Sequence, residues 1–126
     1  MVLALSEVIT VKSYQMNNLR KLRKEYEIDS PYYIFLSDDP EYVEQAFQHI
    51  DEEDKYISKN SPVVDLSLMS LCEYGVCSNS TFAWWGSYLM NKKQKVFFPK
   101  YWLGWRTKTE SHPGIQPSWS IVLDID

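Results

Sequence analysis

Two short polar clusters hold the residue types that could do chemistry in this chain. The first, Ser78-Asn79-Ser80-Thr81, brings hydroxyls and an amide but no acid, and runs straight into Phe82, Trp84 and Trp85. If a helix opens there, its first N–H groups are unpaired and the positive end of its dipole faces outward. Together these make an anion site. Ser80 is equally the residue type that only caps its own helix, and the residues leave both readings standing. Asn79-Ser80-Thr81 also fits the N-glycosylation pattern, one so short that it often arises by chance. A place at a buried strand end argues against a glycan.

The second cluster is Ser37-Asp38-Asp39-Pro40. Adjacent carboxylates invite Mg²⁺, but Asp39 before Pro40 is accounted for as an N-cap with proline at the first helical position. That leaves Asp38. A lone carboxylate at the carboxyl end of a strand often accepts from a ribose hydroxyl or a base N–H. Asp65 opens a later helix and either plays a similar part or complements the helix dipole. Receiver domains of two-component signalling also end a strand in two acids, but their later Asp, hydroxyl residue and Lys cannot all be found at strand ends here.

The elements that must position these clusters follow from periodicity and turn chemistry. Val8-Ile9-Thr10-Val11 is β-branched and predicts a short strand. From Val11 to Tyr26, Tyr14, Leu19, Leu22 and Tyr26 recur at helical steps among Lys12, Arg20, Lys21, Arg23 and Lys24, which predicts an amphipathic helix with a basic face. After the turn Asp29-Ser30-Pro31, the run Tyr32 to Leu36 reads as a strand buried on both faces. A helix from Pro40 carries Val43, Phe47 and Ile50 inward. Asp51 to Asp54 is a solvated loop, Tyr56-Ile57-Ser58 a short strand and Lys59 to Pro62 a turn. The next helix, Val63 to Tyr74, presents Leu68, Leu71 and Cys72, with Gly75 as its stop. Val76-Cys77-Ser78 is a strand. The helix after it carries Phe82, Trp84, Trp85, Leu89 and Met90, with Lys92 and Lys93 in its last turn. Trp85 is expected in the core, its truncation costing roughly 3–5 kcal/mol. Val96-Phe97-Phe98, stopped by Pro99, is a further strand, and the tail from Lys100 is loop-rich up to Trp119 and Ile121-Val122-Leu123. Helices alternating with short apolar strands predict an α/β fold, a Rossmann-like parallel sheet with helices on both faces. Ligands then bind beyond the carboxyl ends of the strands, where both polar clusters lie.

Composition sets the limits. One domain fits within 126 residues, and 44% hydrophobic with 24% charged residues describes a globular chain. A formal charge of −4 argues against a phosphate-backbone binder, so nucleic acid is not an expected partner. Five Trp and nine Tyr fit either a heavily aromatic core or stacking on sugars and bases. Cys72 and Cys77, with no His pair at zinc spacing, read as buried reduced thiols. No run approaches the ~18 apolar residues of a membrane span. Met1 to Leu5 is too short for a signal segment and lacks a basic lead-in.

The string Asp65-Leu66-Ser67-Leu68-Met69-Ser70-Leu71-Cys72, followed by Ser78-Asn79-Ser80-Thr81-Phe82-Ala83-Trp84-Trp85-Gly86-Ser87-Tyr88-Leu89, resembles glycosyltransferase family 11, the α-1,2-fucosyltransferases. Phe35 to Val43 is similar to the family's F-S-D-D-x-x-W-V segment. Lys95 to Trp102 and Pro117 to Ile121 are similar to its later stretches. The likeness spans Leu19 to Ile121, and the Asn-Ser-Thr-Phe-x-Trp-Trp-Gly string is its most specific part. The resemblance implies half of a two-Rossmann (GT-B) enzyme, with residues 1–126 forming a single partial domain that binds GDP-fucose. It also implies inverting transfer of L-fucose to the 2-hydroxyl of a β-galactoside, without a metal or other cofactor. Ser80 and Thr81 would sit at the pyrophosphate and Asp38 and Asp65 near the guanosine, Phe82 and Trp84 would shape the pocket wall, and Asn79 would join them in binding the donor.

One departure weighs against activity. The family carries an H-x-R-x-G-D motif ahead of the first helix, and its Arg contacts the donor pyrophosphate. Met1 to Thr10 contains neither His nor Arg. The resemblance therefore implies a fragment, a wrongly started gene or a decayed copy, inactive alone, with the missing N-terminal half as a partner. Such a sheet is expected to lack its motif-bearing strand, to expose an edge and an apolar face, and to form dimers or aggregates. A bacterial member would be cytoplasmic, peripheral at the inner membrane; an animal member would be anchored in the Golgi lumen. Two rival classes stand beside the enzyme. One is a non-catalytic Rossmann-like nucleotide- or sugar-binding module. The other is an aromatic carbohydrate-binding module, which would place surface Trp on strands and not on a helix.

Overall fold

A computed structural model describes residues 2–6, 20–21, 23–91, 93, 95–102, 108 and 114–124. Six strands make one sheet: β1 (Val2–Ser6), β2 (Tyr32–Leu36), β3 (Lys55–Ile57), β4 (Tyr74–Cys77), β5 (Lys95–Pro99) and β6 (Ile121–Leu123). Among the described residues, helices α1 (Pro40–Ala46), α2 (Pro62–Ser70) and α3 (Thr81–Leu89) make the connections from β2 to β5. Every pairing is parallel, and the strand order is β3-β2-β1-β4-β5-β6. This is the doubly wound order, in which the winding reverses between β1 and β4.

The run Tyr32 to Leu36 is a strand because its side chains find apolar cover on both sides. Tyr33 and Phe35 join Val43, Ala46, Phe47, Val76 and Phe97 on one face of the sheet, the α1 face. Ile34 and Leu36 join Met69, Cys72, Cys77, Ala83, Met90, Val96 and Phe98 on the other, the α2–α3 face. Alternation of period two thus splits one continuous apolar run between two cores. Lys55 is buried beneath α1, where its Nζ donates to the Phe47 and Ile50 carbonyls at 3.1 and 2.8 Å and pairs with Glu52. These carbonyls follow the last turn of α1, where a cation is favoured.

Several expectations need correction. Val2–Ser6 forms β1, paired on one side with β2 and on the other with β4, so the sheet has a central strand where a missing one was expected. The strand expected at Val8 to Val11 lies outside the described residues. Most of the helix expected from Val11 to Tyr26 does too, but residues 20–21 and 23–25 are helical. That helix closes with Glu27 at φ 49° and the Ile28 amide donating back to the Arg23 carbonyl, a left-handed stop. Helix α2 ends at Ser70, with Leu71 as its C-cap, so Gly75 is not a helix stop but a residue of β4. Leu71 points to solvent, while Met69 and Cys72 are buried. In α3 the inward stripe is Ala83, Gly86 and Ser87, and Trp85 is 55% exposed and not core. Small residues face inward because α3 lies close against α2: a Cβ on Gly86 would run into Met69 Sδ. Lys93 lies beyond the helix, yet its Nζ donates to the Tyr88 and Met90 carbonyls at 2.9 and 2.8 Å. Lys92 lies outside the described side chains.

Candidate functional site

A cleft of about 160 Å³ opens at the carboxyl ends of β2 and β3, lined by Leu36, Ser37, Asp38, Asn60, Pro62, Asp65 and Phe82. Its walls are the ends of two strands and the amino-terminal turns of α2 and α3, the position where doubly wound sheets hold ligands. A larger cavity of about 400 Å³, lined by Arg20, Arg23, Tyr33, His49, Asp51 and Asp54 among others, lies at the opposite, amino-terminal end of β2 and β3. Topology therefore favours the smaller cleft despite its volume.

The two adjacent acids divide their work. Asp39 Oδ1 accepts from the Tyr42 amide at 3.0 Å as the N-cap of α1, with Pro40 at the first turn. Asp38 is exposed and lines the cleft. Asp65, in the first turn of α2, is buried at 7% exposure and accepts a short hydrogen bond from the Ser58 hydroxyl. Burial pushes its carboxyl above the ordinary value of 3.8, and the Ser58 bond pulls the other way. Ser58 Oγ also accepts from the Asn60 amide at 3.1 Å, which fixes the turn entering α2. Ser61 occupies the N-cap of α2 without a side-chain cap bond.

At the β4–α3 junction, Ser80 Oγ accepts from the Ala83 amide at 3.0 Å, so Ser80 is a cap. That bond takes one of the amides at the helix start; those before it have no intrahelical partner. Thr81 is exposed beside them. Asn79 turns the other way: its Nδ2 donates to the Pro99 and Tyr101 carbonyls at 3.1 and 3.0 Å, and its buried Oδ1 has no hydrogen-bond partner. An amide nitrogen so engaged agrees with the reading against a glycan. Both cysteines are buried, and burial pushes the Cys72 thiol up to about 12, far from a reactive thiolate.

Of the seven residues expected at the donor site, Asp38, Asp65 and Phe82 share the cleft, and Asn79, Ser80 and Thr81 stand at the neighbouring junction. Trp84 does not line the cleft. Its Nε1 donates to the Ile115 carbonyl at 3.2 Å, and its ring packs against Trp119 and Tyr88 with centroids 5.0 and 5.9 Å away. Sequence reasoning missed Ser58, Asn60 and Pro62, which it assigned to a strand and a turn. A small hydroxyl residue directly after a short strand was the available signal. Among the described residues, no three His, Cys, Asp or Glu side chains gather as metal ligands.

The run from β1 to the start of β6, residues 2–121, matches the sequence profile of Glycosyl transferase family 11. The chain belongs to glycosyl transferase family 11. Its similarity to the O-antigen biosynthesis glycosyltransferase WbnK of Escherichia coli is 30% identity over 82 residues, covering 61% of this chain and 26% of that protein. To an alpha-1,2-colitosyltransferase of Escherichia coli it is 32% identical over 87 residues, covering 66% of this chain and 29% of that one. The chain spans less than a third of the length of these curated relatives. No solved structure matches at a significant level. In this family 11 chain, no helix among the described residues is long and apolar enough to cross a membrane.

Proposed function

We propose that this family 11 chain carries the donor site of an α-1,2-fucosyl-type transferase, with GDP-fucose as donor and a β-galactoside-containing oligosaccharide as acceptor. The observation that carries the reading is the cleft that joins a buried carboxylate, Asp65, to Asp38 and Phe82 beside the open amino terminus of α3. Diphosphate takes the free amides at Thr81 and Phe82, where helix-end donors neutralise the leaving group as the sugar is transferred. Asp38 and Asp65 accept from ribose hydroxyls or guanine N–H groups, and Phe82 packs against the base. Asn79 acts by holding the loop after β5, and Trp84 acts only by anchoring α3 to the residues around Ile115. In transfer, the acceptor's 2-hydroxyl displaces GDP from the anomeric carbon with inversion; no residue of this chain is assigned as the base. The remainder of the machinery, including acceptor binding, falls to polypeptide outside this chain. The α-1,2 linkage in the name of one Escherichia coli relative supports the regiochemistry.

A second reading, a binding module without activity, is favoured by the absence of His and Arg from Met1 to Thr10. β1 ends beside β4, with Ser6 in register with Cys77, so the carboxyl end of β1 lies next to the β4–α3 junction where a diphosphate needs a cation.

Titration of the labelled chain with GDP, and with AMP as control, tests the site by NMR. GDP is expected to bind in the millimolar range, roughly 4 kcal/mol, and to do so in EDTA. Thr81→Glu should abolish binding by placing a fixed negative charge at the diphosphate. Asp38→Asn should weaken GDP but not inorganic pyrophosphate. Equal shifts with GDP and AMP, or shifts away from Ser78 to Trp84, would sink the assignment. Binding of GDP without fucose transfer when the rest of a family 11 enzyme is co-expressed would favour the module reading.

A further inference from the structure

Helices α2 and α3 lie side by side over one face of the sheet, and their outward surface has an unusual composition. The sequence of α3, Thr81–Leu89, contains no charged residue, and the single charge in α2, Asp65, is buried. Besides Pro62, Ser67 and Thr81, these helices and the α2 cap show to solvent Val63, Val64, Leu71, Trp85, Tyr88 and Leu89, with Val63 and Leu71 more than 70% exposed. Helix α1, on the opposite side, exposes Glu41 and Glu44. The other large apolar residues on the surface, Tyr32, Tyr42, Tyr56 and Val122, stand on separate elements.

We propose that the outer face of α2 and α3 is a self-association surface, on which a second copy of this chain docks across a twofold axis. Two observations select a second copy. The chain carries a formal charge of −4, so copies repel over most of their surface, whereas the exposed side chains of α2 and α3 carry no charge and the nearest, Lys93 beside Tyr88, is a cation. The exposed apolar area of the six side chains is on the order of 600 Å² per copy, near the ~800 Å² per partner of a standard interface. A twofold contact lets the same patch serve both copies and closes at two. Trp85 and Tyr88, already in edge contact with centroids 5.6 Å apart, form a rigid aromatic pair of the type that dominates interfaces. An area at the low end of the stable range predicts a reversible dimer and not an obligate one.

Sedimentation equilibrium over a concentration series tests the proposal. The chain should follow a monomer–dimer equilibrium. The double variant Leu71→Glu, Trp85→Glu, altered only at exposed positions, should raise the dissociation constant at least ~30-fold. Tyr42→Glu on α1 should leave it unchanged. A monomer at every concentration, a dimer indifferent to the double variant, a dimer lost equally in Tyr42→Glu, or open-ended assembly would each overturn it. Should circular dichroism show the double variant unfolded, hydrogen exchange of the unaltered chain decides. Exchange within residues 63–71 and 81–89 should slow as concentration rises, and exchange independent of concentration refutes the dimer.

Discussion

The two faces of the sheet are stabilised in different ways. On the α1 face, large rings fill the space: Phe35 and Phe47 meet with centroids 4.5 Å apart, and Tyr33 and Phe97 extend the cluster. On the α2–α3 face one buried ring, Phe98, lies among the smaller or unbranched Ile34, Leu36, Met69, Cys72, Cys77, Ala83, Met90 and Val96, and two helices approach so closely that a Cβ at position 86 would run into Met69. The aromatic residues of α3 lie outside this contact. The first face is a core filled by volume, with a charged helix over it. The second is a contact made by proximity, and it holds the cap, the buried carboxylate and the cleft. Close approach of α2 to α3 brings their amino termini together at one sheet end, which is what a site built from two helix starts requires.

Substitutions can break or sharpen this contrast. Phe47→Ala should have the largest effect, about 3–5 kcal/mol in urea unfolding, because a fully buried ring leaves a cavity. A smaller loss would mean that the α1 face is not filled by volume. Gly86→Ala should cost about 1–3 kcal/mol, since the added methyl meets buried Met69. A gain in stability would show that the helices can separate freely. Ser80→Ala should cost about 1 kcal/mol through the lost cap bond to Ala83.

Asp65 adds a pH dependence. Its carboxyl is raised in the folded chain by burial, so the folded state binds that proton more tightly than the unfolded state. Its contribution to stability therefore falls as pH rises from the ordinary value of 3.8 through the raised one, and recovers on acidification. Asp65→Asn should flatten that part of the stability–pH curve, and Ser58→Ala should steepen it; melts across acidic pH would read both. Last, Trp85→Ala should change stability by no more than ~0.5 kcal/mol at protein concentrations too low for self-association, because its ring is mostly in solvent.

Much of the fold was legible where local chemistry and tertiary packing agree. Tyr32 to Leu36 could only be a doubly covered strand. Asp39-Pro40 announced the start of α1, and Ser80 that of α3, through side chains that bond their own backbone. The errors arose where packing overrode apolar count. Trp85 read as core because it is large, yet close helix contact selects Ala83, Gly86 and Ser87 and turns its indole outward. Trp84 keeps partial cover through the Ile115 carbonyl, a partner too distant in sequence to anticipate. Gly75 read as a helix stop because glycine serves that purpose often, but here it is a residue of β4, in register with Ala4 on one side and Val96 on the other. β1 was missed because five residues without a flanking turn signal give little to read; its pairing with both β2 and β4 defines it. At the site, the carboxylates were legible by type. The Ser58–Asp65 bond was not, because it joins residues across a turn whose shape only the fold sets.

The position of β1 also dictates an order of assembly. Val2–Ser6 lies between a neighbour that follows soon, β2, and one that arrives only at Tyr74. As the chain leaves a ribosome, β1, β2, α1 and β3 can gather as a partial sheet. One side of β1 then keeps its amides and carbonyls open until β4 is released. Non-local closure of this kind is slow, and an open strand invites the wrong partner while it waits. The seam between β1 and β4 is also where the winding reverses, so the step that closes the sheet is the step that creates the crevice. A nascent chain would acquire its ligand-binding end only after the docking of residues 74–77, when α3 brings Phe82 to the cleft.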